Sequence, residues 1–238
     1  MPLVAHLREL RDRFRNALIA VFVAFLGLFP FANELYTYIS EPLRSLLPEG
    51  SSMIATEVTS PFLTPFKLSI VLAVFLAMPV ILAQIWGFIA PGLYKSEKRV
   101  AIPLLTSSVF LFYAGVAFAY FVVFPLLFGF FTTVGPGDIS VMTDINRYLD
   151  FVLKLFFAFG LAFEVPIAAV ILILTGVVTA DQLANNRSYV VVGCFVIGML
   201  LTPPDVISQT LLALPMWLLF ELGLIMGRTL KRGEKTDD

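Results

Sequence analysis

Glu164 stands in the apolar run Leu161-Ala162-Phe163-Glu164-Val165-Pro166-Ile167-Ala168-Ala169-Val170, which belongs to a stretch from Leu155 to Val178 without another charge. A segment this long and apolar reads as a membrane span. Glu164 follows Asp150 by 14 residues, about 21 Å of helix, which is deep in a hydrocarbon core about 30 Å thick. A charge there costs roughly 2.5–3.5 kcal/mol, so such a residue normally faces protein or water and marks function. Pro166 has no N–H, so the carbonyl of Ala162 loses its helical donor and needs another partner in lipid. A carboxylate beside a freed carbonyl suggests a wet or protein-lined pocket. The alternative is a protonated Glu buried in a helix bundle.

Glu9 lies at the edge of the first apolar stripe, and Glu97 lies among Lys95, Lys98 and Arg99. Taken singly, Glu9 can be an i,i+4 helix pair with Arg13, and Glu97 a solvated loop charge. Taken together they are two carboxylates at helix ends on one membrane face. Bidentate carboxylate–guanidinium pairing would make them an arginine docking site. Gln209 is a further polar group at depth, and with Glu164 it could offer a polar patch to a partner helix at roughly 0.6–2 kcal/mol per hydrogen bond. A local bond to the turn at Asp205 would also satisfy it. Asp205 reads as the N-cap of its helix, Lys154 as paired with Asp150 and snorkelling outward, and His6 as a surface residue.

These residues need long helices to position them. Of 238 residues, 59% are hydrophobic and 14% charged, with mean hydropathy +0.92, the composition of an all-α integral membrane protein. The net charge of −1 gives no bulk field for nucleic acid. The lone Cys194 supports no disulfide framework, and the lone His6 supports no multi-histidine metal site. No nucleophile–base pair, zinc motif or phosphate-cradling glycine loop appears, so neither enzyme chemistry nor a cofactor is expected. The charged start of the chain lacks a short apolar core with a small-residue cleavage site, so no removable signal peptide is expected.

Periodicity predicts six spans, approximately 16–32, 62–89, 100–125, 145–178, 188–201 and 206–226, in a single polytopic domain. Ser60-Pro61 is read as a cap followed by proline at the first helical position of the second span, and Thr143-Asp144 as a cap for the fourth. Residues 51–59 read as an extended crossing, and Thr179 to Arg187 as a polar loop. Five spans carry a proline, which membrane helices tolerate when neighbours or water re-satisfy the backbone; Pro125 is expected to kink or end the third. The fifth span, 14 residues from Ser188 to Leu201, covers about 21 Å. The sixth is uncharged only from Val206 to Phe220. Of the 16 basic residues, placing both termini inside puts 12 on the inner side, leaving Arg44, Lys67, Arg147 and Lys154 outside. The positive-inside rule therefore gives N-in, C-in.

His6-Leu7-Arg8-Glu9-Leu10-Arg11, Met53-Ile54-Ala55-Thr56, Ser60-Pro61-Phe62, Phe88-Ile89-Ala90-Pro91-Gly92-Leu93-Tyr94, Phe163-Glu164-Val165-Pro166 and Leu201-Thr202-Pro203-Pro204-Asp205 resemble, in order and spacing, the TatC family, the polytopic subunit of the twin-arginine protein translocase. The resemblance implies a six-helix, cupped, glove-like protein of a bacterial inner membrane, with both termini cytoplasmic. It implies recognition of twin-arginine signal peptides on folded precursors, work with the single-span TatA and TatB subunits and further TatC copies among the membrane lipids, and transport driven by the proton-motive force. It points to Glu9, Arg11, Phe88, Pro91, Tyr94 and Glu97 as the signal-peptide surface, to Glu164 inside the concave face, and to Met199, Thr202 and Gln209 where partner helices dock. Two other classes are weighed. A proton-coupled secondary transporter would use Glu164 as its relay, but no internal repeat or second deep ionisable partner supports it. A purely structural scaffold leaves Glu97 and Glu164 unexplained.

Overall fold

Apolar chain in lipid can satisfy its backbone only within itself, so helices carry it. The computed structural model describes residues 3–44, 53–89, 98–134, 143–201 and 206–234. Their helices are α1 (Leu3–Leu28), α2 (Ala32–Arg44), α3 (Ser60–Leu76), α4 (Met78–Ile89), α5 (Lys98–Phe118), α6 (Phe124–Val134), α7 (Ile145–Ala162), α8 (Val165–Leu174), α9 (Ala180–Asn185), α10 (Arg187–Leu201) and α11 (Val206–Glu234). Among the described residues, four helical stretches are long and apolar enough to cross a membrane: Leu7–Glu41, Ile102–Phe130, Ile145–Leu174 and Val206–Thr229. Ser60–Leu76 with Met78–Phe88, bent by 48°, makes a fifth if taken as one span, and Arg187–Leu201 is apolar but shorter.

The chain forms two compact units. In the first (Met1–Phe88 with Phe124–Lys154), α3 packs against α1 and α2. Phe25, Phe29 and Phe66 meet with ring centroids 5.5–5.8 Å apart, and Phe124, Leu127, Leu149 and Val152 are fully buried. Buried Tyr148 donates its hydroxyl to the Ile39 carbonyl at 2.9 Å. A backbone splice joins distant segments: the Ile54 amide donates to the Thr143 carbonyl at 3.0 Å, and the Ile145 amide donates to the Ile54 carbonyl at 2.9 Å. The Asp144 carboxylate completes it. Its Oδ1 accepts from the Asn146 and Arg147 amides and its Oδ2 from the Thr56 amide and hydroxyl. The expected cap at the start of the fourth span is therefore present, and it serves the 53–59 segment as well.

In the second unit (Ile89–Val123 with Leu155–Asp238), α8 and α10 pack against α11, and α5 meets α8. Glycines set the closest approaches. A methyl at Gly115 of α5 would stand 2.4 Å from the Phe159 carbonyl oxygen, and one at Gly160 of α7 would stand 2.6 Å from the Phe112 ring. A methyl at Gly223 of α11 would stand 2.6 Å from the Pro166 Cα. Gly223 and Gly227 thus form the small-xxx-small face that lets α11 approach α8.

Several expectations are corrected. The second span is broken at Ala77, because Pro79, the second residue of α4, gives the Phe75 carbonyl no amide. Pro125 does not end its helix; the chain widens into a π-helical turn at Ala119–Val123, absorbs the missing donor there, and continues to Val134. Ser60 is not a cap: it is the first residue of α3, follows Thr59 at helical angles, and is itself buried. Asp150 pairs with Lys67 of α3, not with Lys154, which is exposed; the partner comes from 83 residues away, which local spacing does not reveal. The polar segment after Thr179 holds α9, closed by a Thr179–Gln182 capping box.

Candidate functional site

The break between α7 and α8 positions Glu164. The Glu164 amide bonds to the Leu161 carbonyl at 3.0 Å and the helix resumes when the Ala168 amide takes the Glu164 carbonyl at 2.9 Å. Pro166, second in α8 and buried, supplies no amide to Ala162, as its chemistry requires. Buried Ser108 of α5 donates its hydroxyl to Glu164 Oε2. Glu164 Oε1 is buried without a hydrogen-bond partner among the described residues. The result is a carboxylate with one oxygen fixed and the other buried without a partner among the described residues, held where α5 and α7 close on Gly115 and Gly160.

Glu9 and Arg13 form the second cluster. Glu9 Oε1 accepts from Arg13 Nε at 2.9 Å and from Nη2 at 2.6 Å, and both side chains are mostly covered, at 30% and 27% exposure. Arg11 is exposed and pairs with Asp12, with Nη2 to Oδ1 at 2.9 Å. Phe88, at the end of α4, is half-buried, one residue beyond Gly87, whose Cα faces the Arg13 guanidinium. Pro91, Tyr94 and Glu97 lie outside the described residues, as do Thr202 and Asp205.

Met199 of α10 is 51% exposed and Gln209 of α11 is half-buried. Gly198, beside Met199, lies against the Gln209 backbone, where an added methyl would be 3.4 Å from its carbonyl oxygen. Facing α10 and α11 with the ends of α7 and α8 line a largely apolar cavity of about 440 Å³ that includes Ala158, Val165, Cys194 and Met216. One end of this pair is fixed by charge. Arg187 at the start of α10 grips Glu221 of α11 in a two-pronged pair, Nε–Oε1 2.6 Å and Nη2–Oε2 2.7 Å, and Arg228 reaches Asp181 at 3.1 Å.

Sequence reasoning missed Ser108, Gly87 and the Gly223/Gly227 face. The glycine spacing was a legible signal; a serine among apolar residues signals nothing until its partner is seen.

A protein-family model described as Sec-independent protein translocase protein (TatC) matches residues 5–215. The chain is 62% identical over 235 residues to the Sec-independent protein translocase protein TatC of Azotobacter chroococcum mcd 1, covering 99% of this chain and 92% of that protein. It is 57% identical over 227 residues to the protein of the same name from Escherichia coli (strain K12), covering 95% and 88%. Among solved structures, a crystal structure of the twin-arginine translocase receptor TatC superposes with a TM-score of 0.84 at 40% identity, covering 94% of this chain and 98% of that one. The same receptor in DDM gives 0.86 at 41%, covering 93% and 99%.

Proposed function

Because this chain belongs to the TatC family and is therefore a multi-pass, non-enzymatic subunit of the twin-arginine protein translocase, we propose that it is the part that reads the signal peptide, with Glu9 and Glu97 as acceptors for the two arginines. A signal in extended form presents two adjacent guanidinium groups that diverge and suit two separate carboxylates. Arg11, Phe88, Pro91 and Tyr94 complete the surface. The observation that carries this reading is the guanidinium already seated on Glu9: Arg13 gives Oε1 two N–H donors, the contact an incoming arginine would make. Arginine offers a fork of donors and lysine only a point charge, so a receptor of this design demands arginine.

In this reading six spans cross the bacterial inner membrane, with the bent α3–α4 pair as one span and α10 as a short one, and both termini cytoplasmic. TatA- and TatB-type single-span subunits dock along Met199, Thr202 and Gln209, with Glu164 as the intramembrane polar contact and Asp205 capping α11. Further copies of the chain and the surrounding lipids complete the assembly. The proton-motive force drives transport of the folded precursor. The proton-coupled transporter alternative finds no support in the family assignment.

The test is site-specific cross-linking of a precursor to Glu9→Ala, Glu97→Ala and Glu97→Asp variants. Each partly exposed pair should contribute on the order of 1–3 kcal/mol, so each alanine variant should bind roughly five- to 150-fold more weakly, with a smaller fall for a twin-lysine signal. Wild-type cross-linking by both alanine variants would place the receptor elsewhere.

A further inference from the structure

We infer that Arg13 is a built-in placeholder for the signal arginine: it occupies the Glu9 carboxylate in the resting protein, and recognition proceeds by exchange of one guanidinium for another. The inference rests on the reading of Glu9 as an arginine acceptor. An ordinary i,i+4 pair forms on the surface of a single helix and needs nothing from a second one. Here α4 provides a seat. A methyl at Gly87 would stand 2.1 Å from Arg13 Nη1, 2.9 Å from Cζ and 3.1 Å from Nη2. The guanidinium therefore sets its Nη1 end against backbone that only glycine leaves open, with Nε and Nη2 turned to Glu9 and Nη1 to Gly87. Phe88, in the proposed signal surface, is the next residue along α4.

Occupancy sets a threshold for binding. With Arg13 in place, Glu9 is neutralised and a passing cation gains little from it. An incoming arginine makes two N–H···O bonds to Glu9 but must first open the Arg13 pair, at about 0.2–1 kcal/mol, so most of its gain at Glu9 survives the exchange. A lysine must evict the same fork and return one point charge, so it fails at the exchange step. Arg13 thereby makes the site weaker than the bare carboxylate would be, by the same factor for every cation, so only a ligand with the larger gain of a fork binds usefully above that threshold. Arg13 sets the affinity of the site, and Gly87 is the positioning residue that holds it.

The test uses the full-length protein in detergent and measures binding of a signal peptide, in twin-arginine and twin-lysine forms, to Arg13→Gln, Gly87→Ala and Glu9→Ala variants and to the Glu9→Ala/Arg13→Gln double variant. Arg13→Gln should strengthen twin-arginine binding about two- to fivefold, the range of a surface-to-half-buried ion pair, and should strengthen twin-lysine binding by the same factor, since both must open the same pair. Gly87→Ala keeps the arginine but unseats its flexible end, so it should act in the same direction. Glu9→Ala should bind weakly, with or without Arg13→Gln. If Glu9→Ala is weak while Arg13→Gln and Gly87→Ala bind no better than wild type, Arg13 merely supports Glu9 and the placeholder is overturned, while the acceptor reading stands. If Glu9→Ala binds like wild type, the acceptor reading falls, and the placeholder falls with it.

Discussion

Ser108 donates its hydroxyl to one oxygen of Glu164 across the α5–α8 contact, and the second oxygen of that carboxylate is buried without a partner among the described residues. Ser108 thus fixes the carboxylate whose second oxygen is buried and unpartnered among the described residues. Glu164→Gln preserves shape and hydrogen bonding, and Glu164→Leu removes the hydrogen bonding. Gln should keep much of the transport activity, while Leu should lose co-purification of the single-span partners by about tenfold, the effect of one hydrogen bond to a charged group. Ser108→Ala should weaken the same co-purification and Ser108→Thr should restore it. In a Glu164→Leu background Ser108→Ala should add nothing. Equal loss in Gln and Leu would show that the charge itself is what matters.

The 15 residues of α10 span about 22 Å, against about 30 Å of hydrocarbon, and the Arg187–Glu221 pair prevents the end of α10 from sliding along α11. The bilayer should thin beside them at fractions of a kcal/mol per ångström. Lengthening α10 by four leucines should impair transport without unfolding the protein. Normal transport in that variant would show that the short helix is incidental.

Asp144 controls acid stability of the splice. The Thr56 hydroxyl above all, then the Arg147, Thr56 and Asn146 amides, hold its carboxyl down from 3.8 to about 2. A depressed folded-state value stabilises the protein above the unfolded value and the benefit disappears as pH falls through the folded one. The contribution is therefore full above about pH 4 and lost towards pH 2. Asp144→Ala should lower stability by about 2 kcal/mol near neutral pH, the sum of a lost cap and a lost charged hydrogen bond. Thermal unfolding in detergent should show that gap narrowing below pH 4; a gap constant with pH would mean the carboxylate is not the responsible group.

Gly223 and Gly227 should differ in tolerance. A methyl at Gly223 meets the Pro166 backbone, which cannot yield, whereas at Gly227 it meets the Ile173 Cδ1 at 2.3 Å, the tip of a side chain that can turn. Gly223→Ala should destabilise by about 1–3 kcal/mol as an overpacked contact, and Gly227→Ala by less. Equal midpoints in thermal unfolding would contradict the rigid α8–α11 contact.

Much of this was legible in the residues themselves. The run around Glu164, the break imposed by Pro166 and the Thr143-Asp144 cap all follow from one residue's own chemistry, and all appear as read. The failures have a common cause: they depend on partners distant in sequence. Asp150 pairs with Lys67, 83 residues away in sequence, and not with Lys154 one turn along its own helix. Ser60 looked like a cap but entered the helix and was buried. Ser108 and Gly87 are unremarkable until the carboxylate or guanidinium they serve is set beside them.

The splice at Asp144 also imposes an order on synthesis. Thr56 and Asp144 are 88 residues apart, so at about 5–20 residues per second Thr56 emerges from the ribosome roughly 4–18 s before its carboxylate exists. During that interval the 53–59 segment has neither its bridge nor its acceptor, and α3 to α6 must be delivered while it waits. The closure at Asp144 is therefore a late event of biogenesis, and a pulse-labelled nascent chain should acquire protease resistance at residues 53–59 only after α7 has been made.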